Sequence, residues 1–424
     1  MTTLTRKNYT LAIVLLGSLL SFTMVPKSAG AADTQASQRA LQDLEKWLTG
    51  SREARSPMED QKFAGVALTK SDAAKAQQLL WQDHEMSWKK EAADEWKNKR
   101  IRLGTREMKF DYRIFGTKPK HGWSLYISLH GGGGTTKQVN DSQWRNQIRL
   151  YKPKEGIYLA PRAPTDTWNL WHQNHIDAFF DRLIAGGIVQ MDVNPNRVYL
   201  MGYSAGGDGV YQLAPRMADR WAAAAMMSGH PNDASPLGLR NIGFTIHAGE
   251  KDSAYNRNRV AAQWKLKLQK LRQEDPQGYV HDVHIHEKLG HWMKLKDAVA
   301  VDWMAGFTRN PLPEKVVWKQ DDVTHDRFYW LAIPRGKAKA GAQVCSLRQG
   351  QEIHIQRAYG LEELIILLND SLVNLDRPVV VTFKDKPLFQ GIASRSITTL
   401  RCTISERGDP DLVFSAELLI DLKL

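Results

Sequence analysis

Between residues 105 and 308 the spacing of apolar residues switches repeatedly between a period of two and a period of three to four, and that alternation admits few folds. Met108, Phe110, Tyr112 and Ile114 alternate with charged or polar residues, as one buried face of a strand requires. Residues 125–129 and 157–160 are short apolar runs, the second stopped by Pro161. Ile176, Phe179, Phe180, Leu183 and Ile184 then recur at helical spacing. Strand-like runs follow at 197–201, 221–227, 242–247 and 280–285, with a turn at Asn194-Pro195-Asn196 before the first of them. Helical stretches cover 206–217, 256–272 and a segment from His291 to about residue 307. Strands separated by helices at this density predict an α/β domain over residues 105–309: a mostly parallel sheet with helices on both faces.

The flanks read differently. Asn310-Pro311-Leu312-Pro313 punctuates the chain, and beyond it strand-like runs dominate, at 316–318, 328–333, 353–355, 364–368, 379–383, 397–404 and 412–420. Residues 314–424 are therefore expected to form a separate β-sandwich-like domain. Residues 32–104 read as an N-terminal helical segment: Ala40, Leu41, Leu44, Trp47 and Leu48 lie at helical spacing, and Thr69 and Ser71 are candidate caps of a long second helix. Residues 1–31 have the layout of a signal peptide, with Arg6 and Lys7, an apolar run over 11–25, and Ala29-Gly30-Ala31 for cleavage. That run is shorter than the ~20 residues a spanning helix needs. The expectation is a secreted or periplasmic protein whose mature chain starts near Ala32 or Asp33 and carries no transmembrane anchor.

Composition narrows the function classes. The net charge is +12, with basic residues crowded over 97–120 and 265–272. No nucleic-acid motif accompanies them, so they read as solvated faces, and no nucleic-acid partner is expected. A basic surface would still favour approach to anionic polymers or a negatively charged envelope. The only cysteines are Cys345 and Cys402; an oxidising compartment would permit a bridge, and two free thiols fit the sequence equally well. The 14 tryptophans suit either packing or a site that grips sugars and aromatic groups.

The strongest chemical signal is Gly202-Tyr203-Ser204-Ala205-Gly206, standing between a predicted strand and a predicted helix. Glycines there permit a tight turn that lifts a serine hydroxyl into the open, and the helix N-terminus favours developing negative charge. The pentapeptide alone also fits a glycine-rich loop with a capping serine. A second element separates these readings: His130-Gly131-Gly132-Gly133-Gly134 follows an apolar strand. Acyl transfer needs two N–H donors aimed at a tetrahedral oxyanion, and the expected donors are Gly131 or Gly132 together with Ala205. No Lys-Ser/Thr pair follows, as a phosphate-binding loop would need.

An activated serine requires a base, and the base an orienting acid. Asp252 lies in the loop after the strand at 242–247, with Glu250 as its nearest rival, and His291 follows the next strand beside Gly290. The order Ser204, Asp252, His291 suits such a sheet. His230 precedes the acid; His284 and His286 read as a packed or edge pair; His172, His175 and Asp177 have zinc-like spacing without further ligands. No metal or organic cofactor is expected. Trp168 and Trp171 lie on a segment that should cross the sheet near Ser204, where they either line a substrate pocket or staple the loop.

These four runs, from His130-Gly131 through Gly202-Tyr203-Ser204 and Gly249-Glu250-Lys251-Asp252 to Gly290-His291-Trp292, resemble secreted bacterial α/β-hydrolases. Similar enzymes include polyhydroxybutyrate depolymerase-like and feruloyl esterase-like proteins and the phospholipase/carboxylesterase group; the dipeptidyl-peptidase-like serine peptidases are more distant. The resemblance covers about residues 105–308 and implies the fold, the hydrolytic reaction and the triad of a serine esterase; it leaves the ester open, a polymeric or envelope-associated one being among the options. Two alternatives stand beside it: a serine peptidase, and a non-catalytic polymer- or surface-binding protein on a hydrolase scaffold.

Overall fold

The computed structural model describes residues 32–423; the expected signal segment lies outside the described residues. Eight strands form the central sheet: β1 (Arg100–Leu103), β2 (Arg106–Phe115), β3 (Trp123–Leu129), β4 (Gly156–Arg162), β5 (Val193–Tyr203), β6 (Ala223–Met227), β7 (Gly243–Gly249) and β8 (His281–His286). Their order is β1-β2-β4-β3-β5-β6-β7-β8. β2 runs antiparallel to β1 and β4, and all other pairings are parallel. Helices α1 (Thr34–Thr49) and α2 (Lys70–Asn98) precede the sheet, while α3 (Lys137–Gln147), α4 (His175–Met191), α5 (Ala205–Arg216), α6 (Arg257–Glu274) and α7 (Val299–Ala305) connect or follow its strands. This is the α/β-hydrolase architecture, with a first strand that begins at Arg100 rather than after residue 105.

The covered sheet explains the strand sequences. β4, β6 and β7 are buried along their whole length, so they read as continuous apolar runs rather than alternating ones. Alanine is a weak strand former, yet Ala223, Ala224 and Ala225 sit in β6 with neighbours on both sides, where packing outweighs propensity. The Asn194-Pro195-Asn196 turn is contained within β5: Trp123 pairs with Val193 but Leu125 already pairs with Val198, so the extra residues bulge out of the ladder.

β3 leads through α3 to β4 on one side, and β4 leads through α4 to β5 on the other side of β3. The chain therefore reverses direction across the sheet between β3 and β5. In such sheets the crevice outside the strand C-termini at that reversal is where ligands bind. The glycine run leaves β3 there, and Ser204 leaves β5.

Past the hydrolase sheet come β9 (Lys315–Lys319), β10 (Arg327–Phe328), β11 (Leu331–Ala332), β12 (Gln343–Gln349), β13 (Glu352–Tyr359), β14 (Glu363–Leu368), β15 (Val379–Phe383), β16 (Lys386–Gly391), α8 (Ile397–Arg407) and β17 (Ala416–Asp421). They form a four-stranded sheet, β10-β11-β14-β17, and a five-stranded one, β16-β15-β13-β12-β9. The strand expected at 397–404 is instead helix α8. The Ser396 hydroxyl caps it by accepting the Thr399 N–H at 3.1 Å, and Gly408 closes it in the left-handed conformation. Ile397, Leu400, Ile404 and Arg407 make its buried face, a helical spacing masked by a β-branched composition.

The C-terminal segment does not keep a core of its own. One apolar cluster runs from Phe180 and Trp221 beneath the hydrolase sheet to Tyr329, Trp330, Val344 and Ile366 beyond it. The Tyr329 hydroxyl donates to the Ala218 carbonyl at 2.9 Å. The N-terminal helices touch both parts. Trp96 of α2 packs on Gly186 and Gly187 of α4, where a Cβ would meet its ring at 3.0–3.1 Å. Leu41, Leu44 and Leu80 share a second cluster with Ile397, Leu400 and Ile404 of α8. Cys345 and Cys402 are free thiols.

Candidate active site

Ser204 stands at the β5–α5 turn with φ 60° and ψ −122°, a conformation that strains any residue with a side chain. Only glycine permits the turn around it. A Cβ on Gly202 would lie 2.3 Å from the Gly206 carbonyl oxygen, and one on Gly206 would lie 2.2 Å from the Leu129 carbonyl oxygen. The Ser204 N–H is spent on the Met227 carbonyl of β6 at 2.9 Å, which pins the backbone and leaves the side chain free to turn outward.

His291 Nε2 lies 2.9 Å from Ser204 Oγ, and its Nδ1 lies 2.9 Å from Asp252 Oδ2. Asp252 is 2% exposed, whereas the His291 side chain is 43% exposed. The geometry thus runs from a buried carboxylate to an open hydroxyl. Glu250 faces elsewhere: its Oε2 accepts the Lys288 N–H at 2.7 Å and holds the turn before His291. Arg257 approaches the outer oxygen of Asp252 at 3.9 Å.

The glycine run faces the same hydroxyl. A Cβ on Gly131 would sit 3.1 Å from Ser204 Cβ. Gly132 has φ +104°, and its Cβ would strike Asn140 Oδ1 at 2.2 Å. That oxygen accepts the Gly133 N–H at 2.8 Å. Among the described residues, no protein acceptor takes the N–H of Gly131, Gly132 or Ala205. These are the donors an oxyanion would need.

His130, at the head of the run, braces it. Burial pushes its imidazole down to about 4, so the ring is neutral at ordinary pH. Its Nε2 accepts the Ala163 N–H at 3.1 Å, which leaves the Nδ1 proton for the Gly131 carbonyl 2.6 Å away. Its own carbonyl accepts the Trp171 indole N–H at 2.9 Å. Trp171 is therefore not a pocket wall. It is fully buried, stacks on Phe180 with centroids 6.2 Å apart, and staples the loop to the core. Trp168, three residues earlier, is 64% exposed and lies against Gly133 and Gly134. Trp292, beside His291, is 50% exposed; the sequence places it in the run around His291 and gives it no pocket role.

The remaining histidines go to other tasks. His284 and His286 of β8 stack with His247 of β7, centroids 4.8 and 5.4 Å from it. Asp177 is held by Arg216 and by His325, whose Nε2 is 2.7 Å away. Among the described residues no group of three or more His, Cys, Asp or Glu is placed to hold a metal ion. Sequence reasoning also passed over Asp208, one helical turn after Ser204. Its carboxylate accepts the His230 N–H at 2.6 Å, and burial pushes it up to about 6.

No family model and no curated protein matches the chain. Solved structures resemble about half of the chain. A thermostable esterase shares 18% identity at TM-score 0.37, over 50% of this chain and 62% of that one, so the chain spans less than two thirds of it. A poly(3-hydroxybutyrate) depolymerase from Bordetella parapertussis shares 15% over 52% of this chain and 94% of the other, TM-score 0.36. The feruloyl esterase module from Clostridium thermocellum shares 14% over 48% and 83%, TM-score 0.33. Likeness at this level does not assign an activity.

Proposed function

We propose that the protein is a secreted serine hydrolase of carboxylic esters. The observation that carries this reading is the continuous line Asp252–His291–Ser204, two contacts of 2.9 Å each, ending on a hydroxyl beside three unclaimed backbone N–H groups. His291 Nε2 takes the Ser204 proton as Oγ attacks the ester carbonyl. The N–H of Ala205, with Gly131 or Gly132, receives the oxyanion. Asp252 holds the imidazole tautomer and stabilises the imidazolium, which then protonates the leaving alcohol. Water, deprotonated by the same His291, frees the acid and restores the serine.

A serine peptidase would use the same groups, and a binding protein would use none of them. The deciding experiment is reaction of the intact protein with a fluorophosphonate probe, followed by turnover of a panel of soluble esters and peptides. Labelling that disappears in Ser204→Ala, with hydrolysis of esters and not of peptides, is expected. An unlabelled wild type ends the reading; peptide cleavage alone replaces it. Export is tested separately, by the N-terminal sequence of protein recovered outside the cytoplasm, expected to begin near Ala32.

A further inference from the structure

The loop that bears the base of this site is tied before and after it, the Lys251 N–H donating to the Leu289 carbonyl at 2.8 Å and the Lys296 N–H to the Met293 carbonyl at 3.0 Å, but among the described residues no backbone–backbone bond holds His291 itself. Around His291, Lys288, Lys294 and Leu295 all have positive φ (60°, 52° and 62°), conformations disfavoured for these side chains. The His291 carbonyl is gripped by two hydroxyls, one from the end of β5 and one from the residue just past β6. Tyr203 Oη donates to it at 2.5 Å, and Ser228 Oγ at 3.1 Å. The same Tyr203 oxygen accepts the Met293 N–H at 3.0 Å, so one phenol ties the chain on both sides of Trp292. The Tyr203 ring meets the His291 imidazole edge-on, centroids 5.8 Å apart, and burial pushes the phenol above its ordinary value, which keeps the donating proton in place.

We propose, resting on the reading of Ser204 and His291 above, that Tyr203 is a positioning residue: its hydroxyl sets the reach of His291 to Ser204, and Ser228 supports it. The Tyr203 hydroxyl bonds the His291 and Met293 backbone rather than Ser204 Oγ or the imidazole nitrogens. Tyr203 acts because it belongs to the rigid end of β5, one residue before the nucleophile, so base and nucleophile are registered to the same piece of backbone. Without the hydroxyl, the Met293 N–H is left unpaired in a buried residue, and the loop gains by moving toward water. A displacement of about 1 Å at a catalytic group can cost on the order of 100-fold in rate.

The test is steady-state hydrolysis of p-nitrophenyl acetate by wild type, Tyr203→Phe, Ser228→Ala and a control, Tyr199→Phe. The control removes a comparable buried hydroxyl from the same strand, one that donates to the Phe307 carbonyl at 2.9 Å, away from His291. Tyr203→Phe is expected to lose about 10- to 100-fold in kcat with KM within about twofold. Ser228→Ala should lose less, and Tyr199→Phe should keep its kcat even if its melting temperature falls as far. Equal kcat for Tyr203→Phe and wild type overturns the proposal, as does an equal loss in Tyr199→Phe. If Tyr203→Phe does not fold, Ser228→Ala decides: a wild-type kcat there overturns it and a reduced one with unchanged KM supports it. A wild type that neither turns over the ester nor reacts with a fluorophosphonate removes the parent reading, and this proposal with it.

Discussion

The Asp409 carboxylate, from the segment after α8, lies 2.8 Å from the guanidinium of Arg309, just past the last helix of the hydrolase sheet, and both side chains are sealed from solvent. Arg220 reaches the same carboxylate at 3.4 Å, and Arg407 of α8 reaches Asp219 at 2.8 Å. Burial alone would raise Asp409; Arg309 and Arg220 outweigh it and hold the carboxyl below its ordinary value. The charges of the two chain segments thus neutralise each other inside the protein.

Breaking that pairing leaves a buried charge without a partner. Asp409→Asn is expected to cost on the order of 3–5 kcal/mol in unfolding free energy. The sequence reads residues 314–424 as a separate domain, and all the expected catalytic residues lie before it. The structure adds that truncation there removes Tyr329 and Trp330 from the apolar cluster they share with Trp221 and takes Asp409 from the buried Arg309, leaving Arg220 with Asp181 alone, so the product should be insoluble or unfolded. Denaturant unfolding of Asp409→Asn and the solubility of the truncated chain check both statements; a folded, soluble truncation contradicts them.

Asp252→Asn should lower kcat by about 10⁴-fold, as loss of an orienting acid does elsewhere. Glu250→Gln should cost far less, since a neutral amide oxygen can still accept the Lys288 N–H. Kinetics of the two variants on one soluble ester settle the matter, and a crippled Glu250→Gln beside a near-normal Asp252→Asn reverses the roles.

Asp208 carries a pH signature. Its folded-state value, pushed up to about 6 by burial, stands above the ordinary carboxylate value. Between these two the unfolded chain has released a proton that the folded protein keeps. Stability therefore falls as pH rises from about 4 to 6, by up to about 3 kcal/mol. Asp208→Asn keeps an acceptor for the His230 N–H and has no proton to lose. Its unfolding free energy should lack that fall and exceed wild type at pH 8. Parallel stability–pH curves for the two proteins would contradict the assignment.

Trp168 and Trp171 should separate cleanly. Trp168→Ala removes an exposed ring beside the glycine run and is expected to change KM for bulky esters with little effect on the melting temperature. Trp171→Ala opens a cavity under His130 and should cost about 3–5 kcal/mol in stability. Melting temperatures and KM for a small and a bulky ester distinguish the two outcomes.

Much of the fold was legible because the hydrolase sheet is covered on both faces. Its strands must then be apolar runs and its crossovers amphipathic helices, and both leave local signatures. The turn at Ser204 was legible for a similar reason: Gly202 and Gly206 are forced by contacts of 2.2–2.3 Å that no other residue survives. Helix α8 was misread because β-branched residues mimic a strand, although Ser396 and Gly408 marked both of its ends.

What the amino-acid sequence determined by itself is local: the alternation of periods, the glycines at the turns, and the chain order of Ser204, Asp252 and His291. Tertiary structure decided which carboxylate meets the imidazole, since Glu250 and Asp252 are two residues apart and only their directions differ. It decided that Trp171 is buried while Trp168 is open, that Tyr203 and Ser228 grip the His291 carbonyl, and that the C-terminal segment shares a core with the sheet. Each of these depends on where side chains from distant segments point once the sheet has closed around them. No spacing along the chain encodes such a direction, because it is set by packing against partners tens or hundreds of residues away.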